Sequence, residues 1–517
     1  MARRLNIIVA MDLPLRPALD ADAAYRALLA RDAGLDGHLF VGVTSTGVYC
    51  RPICRVRTPR RENCRFFDTP AQAEAAAFRP CLKCRPEIAP GSGFAWSVMD
   101  ASATLARQAA HWLDANAHAC DEVEAATMAT LARHLGVSDR HLRRIFAAEH
   151  GVTPLQYVQT RRLLLAKQLL TDTAMPVTQV AHASGFRSLR RFNAAFAGNY
   201  RLSPSRLRRE AARDLPAMPG MREAGDVLRV RLGFREPLAR EALLRFLEQR
   251  AIPGVEQVDA GALRVRRTVR AGVFAAQGGW LEAVFVPQRP QVQLSCSASL
   301  SAASGSLLRA VRRWLDLDAD PRHIDAALQS LPGEAGLRLP GGVDAFELAV
   351  RAVLGQQVTV AAARTLARRL VERFGEPIAT PWPALDRCFP APARLAGLQP
   401  PQIAELGIIR TRASAIIALA TAWPALQPLL QAHAPAGPLI ERLCAVPGIG
   451  PWTGHYIAMR ALGWSDAFPP GDVAVLKAMG LARGTRAERD AEERSQAWRP
   501  WRAYAVLKLW NSLEIRP

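Results

Sequence analysis

Four cysteines have the residue type and spacing of a metal site. Cys50 and Cys54 are separated by three residues and Cys81 and Cys84 by two, with 26 residues between the pairs. Two close pairs joined by a loop can surround one Zn²⁺ ion as a tetrahedron of thiolates. Residues 50–85 also contain nine Lys and Arg against three acids, more positive charge than a purely structural site needs. We predict one zinc site that meets a phosphodiester backbone.

A second group of residues with chemical potential lies near the C-terminus. The segment Pro447-Gly-Ile-Gly-Pro-Trp452 joins two helical patterns, and Asp472 follows at the predicted start of another helix. Gly448 and Gly450 permit a tight turn whose backbone N–H groups bind phosphate without reading sequence. The pattern indicates a helix–hairpin–helix. Taken alone, an aspartate at a helix start is more often a simple N-cap.

Two helix–turn–helix patterns follow one another in residues 131–210. Gly136 and Gly185 break the helical periodicity, and Ser138 and Ser188 each begin a second helix. The solvent faces of those two helices carry six arginines: Arg140, Arg143, Arg144, Arg187, Arg190 and Arg191. Such basic faces are typical of recognition helices in the major groove of DNA. The alternative is a helical bundle with a solvated basic face.

The composition restricts the class of protein. The 517 residues carry a formal net charge of +21 with a pI near 10.7, which favours double-stranded DNA as a partner. Four of the nine cysteines are clustered, which is typical of a reducing compartment, so we expect a cytoplasmic protein. No stretch of 18 residues is uniformly apolar, so we expect no membrane span. We also expect a monomer.

These patterns predict a multidomain protein of four parts. Residues 1–90 form a small α+β zinc module, and residues 98–210 form an all-α double helix–turn–helix domain. Residues 222–300 contain four candidate antiparallel strands and one helix, which indicates an α+β sheet domain. Residues 301–517 are predicted to be all-α. Linkers are expected around residues 89–94 and 211–224.

The first two domains resemble known families. The matching segments are Thr46-Gly-Val-Tyr-Cys50-Arg-Pro-x-Cys54, Arg61-Glu-Asn63, Phe78-Arg-Pro-Cys81-x-x-Cys84, Gly185-Phe186 and Tyr200-Arg-Leu-Ser-Pro204. The cysteine segments resemble the N-terminal half of the Ada family, and the paired helix–turn–helix motifs are similar to AraC/XylS activators. The usual C-terminal methyltransferase motif of the Ada family, Pro-Cys-His-Arg, does not occur in this sequence.

The Ada resemblance implies a sacrificial nucleophile. The cysteine matching Cys50 takes a methyl group from a methylphosphotriester in DNA, and the methylated protein activates transcription, with RNA polymerase as a partner. We expect Cys50 to be an exposed thiolate, with Arg57 and Arg79 presenting the phosphate. Methylation would change the charge of the zinc cluster from −2 to −1, since one of four thiolates is neutralised. A weaker repulsion from DNA would follow.

Residues 225–515 resemble AlkA-type 3-methyladenine DNA glycosylase II of the helix–hairpin–helix superfamily. The matching segments are Arg338-Leu-Pro-Gly-Gly-Val-Asp344, Val350-Arg-Ala-Val-Leu-Gly-Gln356, Pro447-Gly-Ile-Gly-x-Trp-Thr and Trp498-Arg-Pro-Trp-Arg-x-Tyr504. The resemblance implies a sheet domain like TATA-binding protein and a catalytic role for Asp472. Trp452 stands where lyase-type relatives carry a Schiff-base lysine, so we expect a monofunctional glycosylase that does not cleave the strand.

The same resemblance implies how the target base is held. The aromatics Phe246, Trp452, Tyr456 and Trp510 match the family's base pocket, although core packing is the alternative for each. Phe246 is the weakest match, since its segment lacks the family's usual aromatics. Gln357 stands where relatives place an apolar wedge that fills the gap left by the flipped base. Gly448 and Gly450 are expected to contact the DNA backbone.

Three interpretations remain open from the sequence. The first is a bifunctional protein that senses methylphosphotriesters through Cys50 and excises alkylated purines through Asp472. The second is a DNA-binding transcriptional regulator with structural zinc and an inactive glycosylase fold, which predicts no base release. The third is a glycosylase whose front half only tethers it to DNA, which predicts that Cys50→Ser leaves gene induction unchanged.

Overall fold

The computed structural model describes residues 20–91, 101–116, 125–214, 227–430 and 436–514. Within them the four predicted parts are present: a small zinc module, a helical double helix–turn–helix region, a sheet domain and a second helical domain. The fold class is confirmed. The domain boundaries stay predictions, and most of the linkers at 89–94 and 211–224 lies outside the described residues.

The zinc module is a four-stranded sheet with two helices. The sheet order is β3-β1-β2-β4, with β2 and β4 parallel and the other pairs antiparallel. Asp20 and Thr69 cap the two helices with their side-chain oxygens, as expected for an N-cap. The elements are α1 (Ala21–Ala30), β1 (Phe40–Val43), β2 (Val48–Cys50), β3 (Cys64–Phe67), α2 (Pro70–Ala75) and β4 (Arg79–Pro80).

The helix–turn–helix domain contains seven described helices. Ser138 and Ser188 cap the two second helices by accepting hydrogen bonds from His141 N and Arg191 N, as the sequence predicts. One long helix, α6, joins the two motifs and is buried along most of its length. The elements are α3 (Ala101–Asn116), α4 (Ala125–His134), α5 (Asp139–His150), α6 (Pro154–Asp172), α7 (Val177–Ala183), α8 (Leu189–Tyr200) and α9 (Pro204–Asp214).

The sheet domain has five antiparallel strands in the order β5-β9-β8-β7-β6. Four match the predicted strands. The fifth, Glu-Gln-Val-Asp at residues 256–259, was missed because it is short and polar and none of its residues is fully buried. The elements are β5 (Val227–Gly233), α10 (Arg240–Arg250), β6 (Glu256–Asp259), β7 (Arg264–Val269), β8 (Gly279–Phe285) and β9 (Gln291–Ser297).

The C-terminal domain is helical and has two hydrophobic cores. One surrounds α13 and α17, and the other surrounds α20 and α22. The helices are α11 (Ser304–Trp314), α12 (Pro321–Ala327), α13 (Ala345–Leu354), α14 (Val360–Phe374), α15 (Pro392–Ala396), α16 (Pro400–Ala404), α17 (Arg410–Leu426), α18 (Ala436–Cys444), α19 (Pro451–Ile457), α20 (Val473–Ala478), α21 (Thr485–Ser495) and α22 (Arg502–Glu514).

One segment of this domain, Arg410–Leu430, is long and apolar enough to cross a membrane by length and composition, which the sequence analysis did not expect. Of its apolar window, 44% is buried, and Ile416, Leu419 and Trp423 belong to the core around α17. The core helix of a soluble protein passes the same test, so this is weak evidence for a span.

Buried ion pairs join the zinc module to its neighbours. Lys167 of α6 is fully buried, pairs with Glu87 of the zinc module, and donates to the Cys81 carbonyl at 3.3 Å. Asp172, at the end of α6, accepts from Arg85 of the zinc module and from Arg231 Nη2 of β5 at 2.9 Å. A single carboxylate therefore connects three domains.

Candidate zinc centre and catalytic pocket

The sheet of the zinc module brings the two cysteine pairs together. Parallel pairing of Val48 with Arg79 and of Tyr49 with Pro80 puts the end of β2 beside the end of β4. Cys50 ends β2, and Cys81 follows β4 directly. Cys54 and Cys84 lie in the turns that come next, and Cys54 N donates to Arg51 O at 3.1 Å.

The four sulfurs match the geometry of a tetrahedral site. The Sγ atoms of Cys50, Cys54, Cys81 and Cys84 all lie within 4.8 Å of one another. Zn–S bonds of about 2.3 Å in a tetrahedron separate the sulfurs by about 3.8 Å, so only small adjustments are needed. The donor set is all thiolate, which suits Zn²⁺.

Exposure does not single out Cys50. The residue is 6% exposed, as is Cys54, whereas Cys84 is half-buried. The expectation of an exposed Cys50 thiolate is therefore wrong for this conformation, because Val48 and Val56 pack against the cluster. Hydrogen bonding does distinguish Cys84, whose Sγ accepts from Arg51 N at 3.3 Å.

The nine cations around the cysteines fall into two sets. Arg51 and Arg85 are 3% and 2% exposed and bind buried carboxylates, Arg51 with Asp36 and Arg85 with Glu87 and Asp172. These two therefore stabilise the fold and are not available to a ligand. The other seven reach solvent at least in part, with Arg57 exposed and Arg79 half-buried.

The six arginines of the helix–turn–helix motifs are all exposed. Arg140, Arg143 and Arg144 lie on α5, Arg190 and Arg191 lie in the first turn of α8, and Arg187 precedes the N-cap Ser188. Arg143 Nε pairs with Asp139 at 3.0 Å, one helical turn away. Of the three cations on α5, Arg143 is therefore partly neutralised by its own helix.

The hairpin between α18 and α19 has the predicted tight turn. Gly448 has φ +85°, and a Cβ added there would come within 2.5 Å of the Ala415 Cβ, so a side chain would clash. Gly450 caps α19. Gln356, which the sequence analysis gave no role, donates to Gly448 O and to Thr453 Oγ1, both at 3.0 Å. It fixes the hairpin to the loop that follows α13.

Gln357 lies in that loop, between α13 and α14. Its side chain is exposed and its backbone has φ +54°, a left-handed conformation that is unusual for a residue other than glycine. An exposed side chain on a strained, anchored loop is compatible with the predicted wedge.

Asp472 is held by three donors. Its Oδ1 accepts from Val475 N at 2.9 Å and from Trp510 Nε1 at 3.1 Å, and its Oδ2 accepts from Trp452 Nε1 at 2.8 Å. The carboxylate therefore caps the N-terminus of α20 and also accepts a hydrogen bond from one indole on each of its oxygens. It is 7% exposed. A helix N-terminus and two indole N–H groups together stabilise its negative charge.

The predicted aromatics surround this carboxylate. Trp452 and Tyr456 stack with ring centroids 5.1 Å apart and an interplanar angle of 15°, and Tyr456 lies 6.2 Å from Trp510. All three are half-buried, so each keeps some surface open. The three rings and Asp472 form one cluster beside the hairpin, at the predicted base pocket.

Phe246 lies behind that pocket. It is 7% exposed and packs in a cluster with Leu337 and Leu507, against which Trp510 also packs. The guanidinium carbons of Arg250 and Arg460 lie 3.7 Å and 4.7 Å from its ring centroid. These side chains therefore cover the ring of Phe246. Its predicted role in stacking on the target base stays a prediction.

Arg460 was missed by the sequence analysis. It is 6% exposed, donates to Tyr456 OH at 2.8 Å, and is bonded to the Pro340 carbonyl. The pKa of Tyr456 is lowered: burial raises it, but the guanidinium of Arg460 and two other arginines outweigh that effect. The available signal was its position one helical turn after Tyr456.

Known proteins match almost the whole chain, 96% of it in one relative. Four family models match in order: the metal binding domain of Ada over residues 23–87, a helix-turn-helix domain over 131–210, the AlkA N-terminal domain over 229–344, and the HhH-GPD superfamily of base excision DNA repair proteins over 350–503. A probable bifunctional transcriptional activator/DNA repair enzyme AlkA of Mycobacterium tuberculosis is 37% identical over 96% of this chain and 97% of that protein.

The chain belongs to this family of bifunctional transcriptional activators and DNA repair enzymes. Two further relatives each match one part of the chain. DNA-3-methyladenine glycosylase 2 of Escherichia coli is 35% identical over 55% of this chain and 98% of its own length. The bifunctional transcriptional activator/DNA repair enzyme Ada of Escherichia coli is 35% identical over 32% of this chain and 43% of its own length.

Membership of the family confirms the three predicted resemblances. It also confirms a four-cysteine Zn²⁺ site, a helix–hairpin–helix glycosylase domain and DNA as a partner.

Proposed function

We propose that this chain detects methylphosphotriesters in DNA with Cys50, activates transcription when methylated, and excises alkylated purines with Asp472. The observation that best supports the excision step is the pair of indole N–H groups that orient the Asp472 carboxylate beside stacked Trp452 and Tyr456. An inactive fold has no need to hold a buried carboxylate in an aromatic pocket.

In the methyl transfer, Cys50 Sγ attacks the methyl carbon of the triester. The S–C bond forms as the C–O bond breaks, and the electron pair remains on the phosphate as the charge of an ordinary phosphodiester. Zn²⁺ bound to Cys50, Cys54, Cys81 and Cys84 would keep the acceptor sulfur deprotonated at neutral pH. The hydrogen bond from Arg51 N makes Cys84 a poorer nucleophile, which supports the assignment to another cysteine.

In the excision, the flipped purine stacks against the aromatic pocket and leaves with the electron pair of its glycosidic bond. Asp472 stabilises the positive charge that develops on the sugar, and it orients the water that attacks C1′. The products are a free base and an abasic site. No lysine is available at position 452 to attack the sugar, because Trp452 occupies it, and we infer hydrolysis without strand cleavage.

The DNA-binding roles follow from exposure. Arg57 and Arg79 are proposed to contact the phosphate near the zinc centre, and the six exposed arginines of α5 and α8 to contact a promoter site. Gln357 is proposed as the wedge, and Gly448 and Gly450 as backbone contacts in the hairpin. We further propose that the protein acts as a monomer with RNA polymerase, in the bacterial cytoplasm at the nucleoid.

The decisive experiment measures base release from alkylated duplex DNA by the wild type and by Asp472→Asn. Asparagine is an equally good N-cap, so α20 stays capped, but the negative charge is lost. We expect the rate of release to fall by about 100-fold or more. An unchanged rate would remove Asp472 from the mechanism, and no release by the wild type would favour the inactive-fold interpretation.

The acceptor is tested separately. The zinc-loaded protein is incubated with methylphosphotriester DNA, and the methyl group is mapped by mass spectrometry. We expect one methyl group on Cys50 and none on Cys50→Ser. A methyl group on another cysteine contradicts the assignment. If gene induction survives in Cys50→Ser, the front half acts only as a tether.

A further inference from the structure

The helix that joins the two helix–turn–helix motifs reaches the zinc centre. Lys167 of α6 is fully buried, and its Nζ donates to the carbonyl of Cys81, one of the four zinc ligands, at 3.3 Å. The charge of Lys167 is paired with Glu87, which follows in the same segment of the zinc module. A cation of one domain therefore lies against a metal ligand of another. None of the roles proposed above uses this contact.

The segment of residues 81–87 is held by α6 at three points. Leu82 is partly buried and packs against the hydrophobic core to which α6 belongs. Arg85, which follows the last zinc ligand, pairs with Asp172 at the end of α6. Lys167 makes the third contact, and it is made with a zinc ligand itself. The position of the second cysteine pair therefore depends on a helix of the helix–turn–helix domain.

The buried charges beside the cysteines do not balance among themselves. The connected set contains three cations, Lys167, Arg85 and Arg231, and two carboxylates, Glu87 and Asp172. The most exposed side chain of this set is that of Arg231, at 10%. One positive charge is therefore in excess, next to a centre whose four thiolates around Zn²⁺ carry −2. The set and the zinc centre attract each other, and burial strengthens the attraction.

Two other buried carboxyl groups near this set do not cancel its excess charge. Asp36 is paired with Arg51, so the two together add no net charge. Burial raises the pKa of Glu74 to about 8, which leaves its carboxyl mostly neutral at neutral pH. The thiolates of the zinc centre are therefore the counter-charge that the set faces.

We propose that Lys167 is a positioning residue of the zinc centre, through which the charge of the thiolate cluster determines how strongly α6 holds the zinc module. The attraction of Lys167 to the cluster is proportional to the cluster charge, so it falls by about half when −2 becomes −1. Coupling between two sites is reciprocal: loss of Lys167 weakens zinc binding, and loss of a thiolate charge loosens α6. The consequence for methylation rests on the proposed role of Cys50, whereas the dependence on charge does not.

The test measures the zinc dissociation constant of the full-length chain at pH 7 by competition with a chelator. Four proteins are compared: the wild type, Lys167→Met, Cys50→Ser and Cys50→Ser/Lys167→Met. Cys50→Ser leaves three thiolates and a cluster charge of −1, whether or not the protein ever accepts a methyl group. Methionine keeps much of the length of lysine without its charge, and Glu87 keeps its pair with Arg85.

The four-thiolate centre should depend more strongly on Lys167 than the three-thiolate centre. With four thiolates, Lys167→Met should raise the zinc dissociation constant by about 10- to 100-fold, the usual effect of losing a contact that supports a metal ligand. With three thiolates, the same change should raise it by about 3- to 10-fold, because the attraction is half as large. A purely structural role of Lys167 gives equal factors. Equal factors, a larger factor with three thiolates, or no loss in either background would overturn the proposal.

The matched control is Lys83→Met. Lys83 lies between Cys81 and Cys84, but its side chain is exposed, so solvent and salt screen its charge. Its removal should raise the zinc dissociation constant by less than about 5-fold in either background. A rise as large as that of Lys167→Met would mean that any cation near the cluster acts in the same way, and that the contact from α6 has no special part.

A second measurement follows methylation itself. Hydrogen exchange of the α6 amides is recorded by mass spectrometry on the zinc-loaded protein before and after reaction with methylphosphotriester DNA. In the wild type, exchange should become faster by about 3- to 10-fold after methylation, and in Lys167→Met the change should be smaller. Methylation without faster exchange in the wild type would refute the coupling. If no methyl group is taken up, the proposed role of Cys50 fails, and the zinc measurement alone decides the role of Lys167.

Discussion

The carboxylate of Asp472 has two structural partners of the same kind, Trp452 on one oxygen and Trp510 on the other. The sequence analysis predicted these tryptophans as base-stacking surfaces. The structure gives them a second role. Their indole N–H groups fix the orientation of the Asp472 carboxylate, so it cannot rotate about its hydrogen bond to the α20 backbone. An aromatic residue without the N–H could stack on a base but could not hold Asp472.

Trp452→Phe separates these two roles. Phenylalanine keeps an aromatic ring next to Tyr456 but removes the donor to Asp472 Oδ2. A hydrogen bond to a charged group contributes about 1.5–3 kcal/mol, and its loss from the transition state should slow base release by about 10- to 100-fold. Single-turnover excision assays measure the rate.

The control is Trp382→Phe, which removes an indole that packs on Trp280 and has no contact with Asp472 in the described structure. It should leave the rate of excision unchanged. If Trp452→Phe excises as fast as this control, the hydrogen bond to Asp472 has no part in catalysis.

At the scale of elements, Glu74 joins α2 of the zinc module to the helix–turn–helix domain. Its carboxyl accepts from Tyr49 OH at 3.0 Å, from Thr160 Oγ1 of α6 at 3.1 Å and from Tyr200 OH of α8 at 3.3 Å. Burial raises the pKa of Glu74 to about 8, because desolvation outweighs these donors and the attraction of Lys167.

This raised pKa predicts a pH-dependent stability. The folded-state pKa of Glu74 lies above its ordinary value of 4.5. The contribution of neutral Glu74 to the free energy of unfolding is therefore complete below pH 4.5 and is lost as the pH rises toward about 8. We expect the free energy of unfolding of the wild type to fall by about 1 kcal/mol per pH unit across this window relative to Glu74→Gln. Urea titrations at several pH values measure the difference.

Glutamine keeps the shape of a neutral Glu74 and cannot titrate, so the two proteins should be similar in stability at the acidic end of the window. If the free energies of unfolding of the two proteins change in parallel with pH, the pKa of Glu74 is not raised on folding. A larger stability of the wild type at the alkaline end would mean that the three hydroxyl donors outweigh burial.

The sequence predicted what is encoded locally. Cysteine spacing, the glycines of the hairpin and the caps Ser138 and Ser188 depend on neighbours a few residues away, and all lie as expected. Charges that pair over long distances in the chain could not be assigned. Arg51 and Arg85 read as part of a phosphate-binding surface, but they bind Asp36 and Asp172 in the interior.

The pocket shows the same limit. Family resemblance indicated Trp452, Tyr456 and Trp510, and the structure brings them together around Asp472. Arg460 and Gln356 were missed, because their roles depend on backbone carbonyls at Pro340 and Gly448 that are about 100 residues away in the chain. No periodic pattern reveals these two contacts with distant carbonyls, whereas the contact of Arg460 with Tyr456 could be predicted from their spacing of four residues.

For the molecule as a whole, the central connection is Asp172, which binds Arg85 of the zinc module and Arg231 of the sheet domain. Its side chain is fully buried, and that of Arg85 is 3% exposed. Breaking such a pair leaves uncompensated buried charge, and the cost is about 3–5 kcal/mol. The sensing half and the excising half are therefore coupled in stability.

Asp172→Asn tests this coupling. We expect the unfolding free energy to fall by about 3 kcal/mol or more, and protease cleavage between the two halves to become faster. The control is Asp139→Asn, which removes an exposed carboxylate that pairs with Arg143 and should cost less than about 1 kcal/mol. Similar losses in the two variants would mean that the junction does not hold the halves together.

The burial of Cys50 has a consequence in time. At 6% exposure, a thioether formed on its sulfur lies among Val48, Val56 and three other sulfurs, with little contact with solvent. Under the proposed function, Asp472 takes part in many catalytic cycles, whereas Cys50 reacts once. One chain therefore combines a catalyst that turns over with a permanent covalent modification. The population of marked chains then records past exposure to alkylation and fades only as new protein replaces old.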